Sequence, residues 1–244
     1  MRVYAIGDVH GQLEKLKDIH NRIAEDQKEH GPGGVTIHLG DLVDRGPNSA
    51  GVIDYLMTGM NDGQPWIALK GNHDRLMSFF LEDPLKKDGR LRPEYNWLSK
   101  PLGGLATLAS YGVDATEDAP KQEVHERFVA AVPQSHRDFV QGLPLMHKTD
   151  GFVFVHAGIR PGVPFDQQTE DDLVWIRKEF HEDHRDHGAV IVHGHTPVDV
   201  VSDYGNRINV DTGAAYGRAL SVVVIENGTS LELGSEGRRK IALG

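Results

Sequence analysis

Three times in its first 75 residues the chain runs from a short apolar segment into a turn carrying glycine and then an acidic or amide side chain. Val3 to Ile6 leads into Gly7-Asp8-Val9-His10-Gly11. Val35 to Leu39 leads into Gly40-Asp41-Leu42-Val43-Asp44-Arg45-Gly46-Pro47, and Trp66 to Leu69 into Gly71-Asn72-His73-Asp74. Helical spacing follows the first of these turns, with apolar residues at Leu13, Leu16, Ile19 and Ile23. Strands that alternate with helices predict an α/β fold, in which ligands bind beyond the carboxyl ends of the strands. All three polar turns fall at that edge.

Residues 82–144 read differently, as a polar, helical insertion or cap with candidate helices at Leu102–Tyr111 and Glu123–Val132. Strand-like runs return at Phe152–His156, Val190–His193, Arg207–Val210 and Leu220–Ile225, and they imply a second sheet. With no internal repeat and no long linker, the expectation is one domain over residues 1–244 that includes the 82–144 insertion.

Composition narrows the chemistry. The chain has no cysteine, which removes disulfides, zinc–cysteine sites and thiolate nucleophiles. A formal charge of −10 argues against nucleic acid as a general partner and calls for local positive charge if the substrate is anionic. The opening MRVYAIGDVHG has too short an apolar run for a signal peptide or membrane span, so a cytoplasmic location and no membrane partner are expected.

Metal ligation is the chemistry these turns suggest. If extended geometry continues past the first strand, Asp8 and His10 project to one side and can share an ion. The Asp41 carboxylate, in the next turn, can bridge two ions about 3.5–4 Å apart. Asn72 adds an amide oxygen, while His156 and His195 stand just beyond two later strands. Each signal is weak alone. Six oxygen and imidazole donors beyond five strands are not, and such a set suits manganese first, with iron or zinc as alternatives, over calcium.

Taken together, Gly7-Asp8-Val9-His10-Gly11, Gly40-Asp41-Leu42-Val43-Asp44-Arg45-Gly46, Gly71-Asn72-His73-Asp74, His156-Ala157-Gly158 and Gly194-His195-Thr196 resemble the motifs of calcineurin-like metallophosphoesterases. More narrowly they resemble the phosphoprotein phosphatase family, in its bacterial, lambda-phosphatase-like branch. The resemblance implies a four-layer sandwich of two mixed β-sheets flanked by helices. It implies a first metal on Asp8, His10 and Asp41 and a second on Asp41, Asn72, His156 and His195. It places His73 as the acid that protonates the leaving oxygen, Asp44 as the group that holds His73, and Arg45 and Arg177 on the phosphate oxygens. Two metals would activate water to attack phosphorus directly.

Two substrate classes follow, with a silent phosphate-binding module as a third reading. A phosphorylated protein is expected ahead of a small phosphoester such as diadenosine tetraphosphate, whose symmetrical hydrolysis is the alternative. Asp74 stands where eukaryotic protein phosphatases carry Glu, and Thr196-Pro197 after His195 departs from the Gly-His-x-His of phosphodiesterases. The run from His181 to His187 reads as a solvated helix face, His193 as a structural or supporting residue, and Gly31-Pro32-Gly33-Gly34 as an ordinary loop. Nothing in the sequence decides whether Tyr216 reaches the site.

Overall fold

The computed structural model describes residues 1–244. The first half runs β1 (Arg2–Ile6), α1 (Leu13–His30), β2 (Val35–His38), α2 (Ser49–Asn61), β3 (Trp66–Ala68) and α3 (Asn72–Glu82). Three helices follow, α4 (Gly104–Ser110), α5 (Lys121–Ala131) and α6 (Gln134–Gly142), and then β4 (Met146–Thr149) and β5 (Phe152–Val155). After α7 (Glu170–Trp175) and α8 (Lys178–His181) come β6 (Val190–His193), β7 (Ser202–Asp203), β8 (Arg207–Asn209) and β9 (Val222–Glu226). The chain closes with β10 (Thr229–Gly234), β11 (Gly237–Lys240) and β12 (Ala242–Leu243). No helix is long and apolar enough to cross a membrane.

The strands form two six-stranded mixed sheets, ordered β11-β10-β9-β1-β2-β3 and β12-β7-β8-β6-β5-β4. β1, β2 and β3 run parallel, as do β5, β6 and β8. Strand alternation then builds the layers. From β1, Tyr4 and Ile6 enter a core shared with α1 and α2, whereas Val3 and Ala5 enter a second core with Phe154, Val192 and Ile208 of the other sheet. Val153, Val155 and Ile191 face outward again, onto Leu173 and Phe180 of α7 and α8. The result is helix, sheet, sheet, helix: the four-layer sandwich expected from the motifs.

Two details depart from expectation. The run at Leu220–Ile225 becomes β9, which does not join the second sheet but pairs antiparallel with β1, Arg2 opposite Glu226. A non-local pairing of this kind leaves no mark in local periodicity. The His181–His187 run is not a helix face either, because α8 stops at His181 and residues 182–187 are irregular. In residues 82–144, Trp97, Leu108, Val124, Phe128 and Val140 are buried in the same core as Leu16 and Ile53. That segment therefore shares its packing with α1 and α2.

Candidate metal centre

Each donor turn sits at the carboxyl end of a parallel strand, and backbone handedness aims it. Of the six non-glycine residues with positive φ, five are His10 (46°), Asp41 (50°), Asp44 (73°), Arg45 (67°) and His195 (68°). Such conformations are sparsely populated for residues with a Cβ, and they persist where surrounding structure over-determines them. This corrects the expectation that extended geometry carries Asp8 and His10 to one side. The chain leaves β1 at Ile6 and turns, held by His10 N–H donating to the Asp41 carbonyl (2.7 Å) and Gly11 N–H to that of Leu42 (2.9 Å). Two glycines let the turns close: a Cβ on Gly71 would strike Asp41, and one on Gly194 would strike Asp8.

The structure brings all six candidate ligands together, nearly all of their surface buried. The Asp41 carboxylate lies at the centre with its oxygens facing two ways. Oδ2 is 3.4 Å from His10 Nε2, and Oδ1 is 3.4 Å from His156 Nε2. Both imidazoles are held by their other nitrogen, since His10 Nδ1–H donates to the Val43 carbonyl (2.8 Å) and His156 Nδ1–H to that of Leu39 (2.9 Å). Their Nε2 lone pairs therefore face inward. His156 Nε2 looks across 3.0 Å at Asn72 Oδ1 and across 3.2 Å at His195 Nδ1. Asp8 accepts the His195 N–H (3.2 Å) and borders Asp211.

Electrostatics fit a cation. Burial keeps the His10, His156 and His195 imidazoles below their ordinary pKa and hence neutral, the form that ligates metal. For Asp41 burial acts to raise the pKa, but the encircling His156, His73, His10 and His195 outweigh it and hold the carboxyl low. Burial, then the neighbouring Asp211 and Asp41, push Asp8 well above the carboxylate range, and burial pushes Asp211 up to about 6. Crowded carboxylates and inward lone pairs are what divalent ions neutralise. Metal-type side chains gather in two groups that share Asp41, His10 with Asp41 and His73, and Asp41 with His156 and His195.

Beside them stands a hydrogen-bonded pair. His73 Nδ1–H donates to Asp44 Oδ2 (2.7 Å), leaving His73 Nε2 4.0 Å from Asp41 Oδ2. Asp44 is wholly buried and also accepts from Trp97 Nε1–H (2.8 Å) and the Thr107 hydroxyl (2.7 Å). Arg45 donates to His10 Nε2 (2.7 Å) and Arg177 to His195 Nε2 (3.0 Å), so both predicted arginines reach the centre. His193 instead packs on Phe180 and His181 in the outer layer. Sequence reading missed the support given by Trp97, the closeness of Asp211, and the role of Asp74, which accepts N–H groups from Gly71 (2.8 Å) and Leu42 (3.0 Å) and so ties two turns together.

A sandwich of this topology with such a centre defines a metallophosphoesterase, and the chain belongs to the calcineurin-like phosphoesterase family, whose sequence model matches residues 1–224. It is a hydrolase of phosphate esters. Among its relatives is the asymmetrical bis(5'-nucleosyl)-tetraphosphatase PrpE of Geobacillus thermodenitrificans, 28% identical over 237 residues that cover 91% of this chain and 90% of that one. The PrpE of Anoxybacillus flavithermus is 26% identical over 239 residues, covering 89% and 88%. A crystal structure assigned provisionally to a diadenosine tetraphosphatase superposes with a TM-score of 0.63 at 20% identity, covering 95% of this chain and 92% of that one. At that identity the likeness speaks for the fold.

Proposed function

We propose that this enzyme hydrolyses dinucleoside polyphosphates, at two divalent ions held by Asp8, His10, Asp41, Asn72, His156 and His195. The observation that carries the substrate class is the relatives' shared name over about nine-tenths of both chains. It reverses the order expected from the motifs, which put a phosphoprotein first. The relatives' names specify asymmetrical cleavage, which splits a tetraphosphate into a nucleoside triphosphate and a monophosphate, and our reading adopts it in place of the symmetrical cut.

When bound, the ions would polarise the phosphate oxygens and lower the pKa of water between them. The protein's own groups do the rest. Asp41 would hold both ions, because its two oxygens face His10 and His156 separately. Arg45 and Arg177, now donating to the imidazoles of His10 and His195, are placed to turn their guanidinium forks onto non-bridging phosphate oxygens. His73 delivers a proton from Nε2 to the departing oxygen. Asp44, itself fixed by Trp97 and Thr107, accepts the Nδ1–H and so aims Nε2, from which the doubly protonated ring gives up its proton.

That His73–Asp44 pair also supports a second reading, a phosphomonoesterase of the phosphoprotein-phosphatase type. An alkoxide departs poorly without a proton, whereas a phosphate departs well, so a fully built acid helps serine or threonine phosphates most. Catalytic efficiency on diadenosine tetraphosphate and on a phosphoserine peptide, measured in Mn²⁺, separates the two. We expect preference for the dinucleotide with ATP and AMP as products; preference for the peptide would reverse the proposal, and two molecules of ADP would restore the symmetrical cut.

A further inference from the structure

Next to Arg45 the surface opens into a cavity of about 350 Å³, lined by Arg45, Lys100, Gly103, Leu105, Ala215 and Tyr216 among others. Its volume lies at the lower end of small-ligand sites, which are mostly apolar with a few placed polar groups. Tyr216 is 60% exposed, the only aromatic side chain among the large apolar ones left in solvent. Its exposure is not the result of a slack loop. The segment turns through Gly213 and Gly217, at φ 81° and 84°, and Lys15 clamps it by donating to the carbonyls of Ala214 (3.0 Å) and Arg218 (2.7 Å). Arg218 in turn pairs with Asp199 (2.8 Å). A braced loop that presents an aromatic ring to water offers a rigid surface with little ordering entropy left to lose.

The charges point the same way. In a chain of net charge −10, the cavity presents Lys100 and the Arg45 guanidinium, which lies 5.5 Å from the Tyr216 ring centre. The opposite wall is fixed to the site itself: Arg45 N–H donates to the Gly103 carbonyl (3.2 Å), and Gly103 approaches Arg45 so closely that a Cβ there would collide with it. Apolar wall, exposed aromatic face, two cations and continuity with a phosphate-gripping arginine are the complement of a nucleotide. A base stacks on an aromatic ring whatever its identity, while its phosphates take the cations.

We propose that this cavity seats one nucleoside of the substrate, its base against Tyr216 and its phosphate chain passing Lys100 and Arg45 toward the metal centre. The assignment rests on the dinucleoside polyphosphate reading above. It makes Tyr216 and Lys100 specificity residues that touch the substrate away from the reacting phosphorus.

The test compares wild type, Tyr216→Ala, Tyr216→Phe and Lys100→Ala on diadenosine tetraphosphate, a phosphoserine peptide and para-nitrophenyl phosphate. Tyr216→Ala should lower kcat/KM for the dinucleotide by roughly 5–100-fold, the scale of one lost base–aromatic stack. It should leave para-nitrophenyl phosphate and the peptide within about twofold, and Tyr216→Phe should restore the wild-type value. Lys100→Ala should raise KM for the dinucleotide several-fold, with a weaker salt dependence. Calorimetric binding of ADP should weaken in Tyr216→Ala in parallel. Equal loss on all three substrates, or none on the dinucleotide, overturns the subsite, and a loss larger on the peptide assigns the cavity to a polypeptide instead. A wild-type enzyme that cleaves para-nitrophenyl phosphate but not the dinucleotide overturns the proposed function itself, a result distinct from wild-type cleavage that Tyr216→Ala leaves untouched.

Discussion

Two buried histidine assemblies share strand β2, and they have opposite characters. Below the sheet edge, Tyr55 O–H donates to His20 Nδ1 (2.9 Å), His20 Nε2–H to His38 Nε2 (3.0 Å) and His38 Nδ1–H to the Ile67 carbonyl (3.0 Å). That order is forced, because a carbonyl can only accept and so fixes the tautomer of each ring in turn. The chain of donors closes on the backbone and nothing is left over. Three residues past His38 lies Asp41, around which His10, His73, His156 and His195 are buried as deeply. There each of His10 and His156 spends one nitrogen on a carbonyl and turns the other toward a common point. Burial is common to both groups, and burial depresses the imidazole pKa of His20 and His38 as it does that of His10, His156 and His195, so neither property identifies a site. What distinguishes the centre is that acceptors from separate turns, both oxygens of Asp41, Asn72 Oδ1 and the inward nitrogens of His10 and His156, converge on one point.

The sharpest way to break this contrast is at Asp41. Asn tolerates the positive φ there, so Asp41→Asn keeps the backbone while removing the charge and one bridging oxygen. It should abolish measurable turnover and cost both of the roughly two metals per chain expected in wild type, whereas Asn72→Ala should keep one. Elemental analysis of the two variants checks this, and equal metal retention would sink the bridging role. Chelation of wild type should likewise stop activity, and Mn²⁺ should restore it.

Next in size is His73, which belongs to the centre but is assigned no ion. His73→Asn should slow an alkyl ester such as phosphoserine by roughly 10²–10⁴-fold, spare para-nitrophenyl phosphate and leave the metals in place. Asp44→Asn should show a milder form, and the double variant should be little worse than His73→Asn alone. Equal losses in kcat on the alkyl and phenyl esters would remove His73 from proton delivery.

The closed pair should answer through stability and acidity. Burial pushes His38 down to about 4, and burial with His38 alongside pushes His20 down to about 2, against about 6.5 unfolded. Both folded values lie below the unfolded one, so their contribution is full above pH 6.5 and is lost as the pH falls toward 4 and below. For His38 alone the loss is about 3 kcal/mol. Urea denaturation at stepped pH measures it, and a flat profile between pH 6.5 and 4.5 would contradict the buried neutral pair. Smallest is His38→Leu, which strands the His20 Nε2–H. It should cost about 1–3 kcal/mol at pH 7.5, flatten that pH slope, and leave metal content and kcat unchanged.

The donors were legible in the sequence because each follows a β-rich run and lies in or next to a glycine-containing turn, a local pattern that places it at one sheet edge. Their aim was not. The left-handed backbone at His10, Asp41 and His195 is imposed by contacts such as His10 N–H to Asp41 across 31 positions, and residue type alone does not announce it. Trp97 and Thr107 lie 53 and 63 positions from Asp44, so their hold on it appears only once residues 82–144 have packed. The proposed substrate order departs from the one the motifs suggest for a related reason: the motifs surround the reacting phosphorus, which dinucleotides and phosphoproteins share, whereas on the proposed reading discrimination falls to surfaces such as the Tyr216 loop.

The seating of β9 against β1 also has a consequence in time. A ribosome delivers every candidate metal ligand by residue 195, yet β1, which leads into Asp8 and His10, still lacks one neighbour until Val222–Glu226 emerges. For most of translation the strand at the middle of the first sheet is an open edge, with apolar side chains on both faces and unpaired amides along one side. Completion waits for a contact spanning 224 positions between Arg2 and Glu226, among the slowest kinds for a chain to find. The nascent protein can thus hold its chemistry in hand before it has a finished floor beneath it, and a folding helper would find its target at β1.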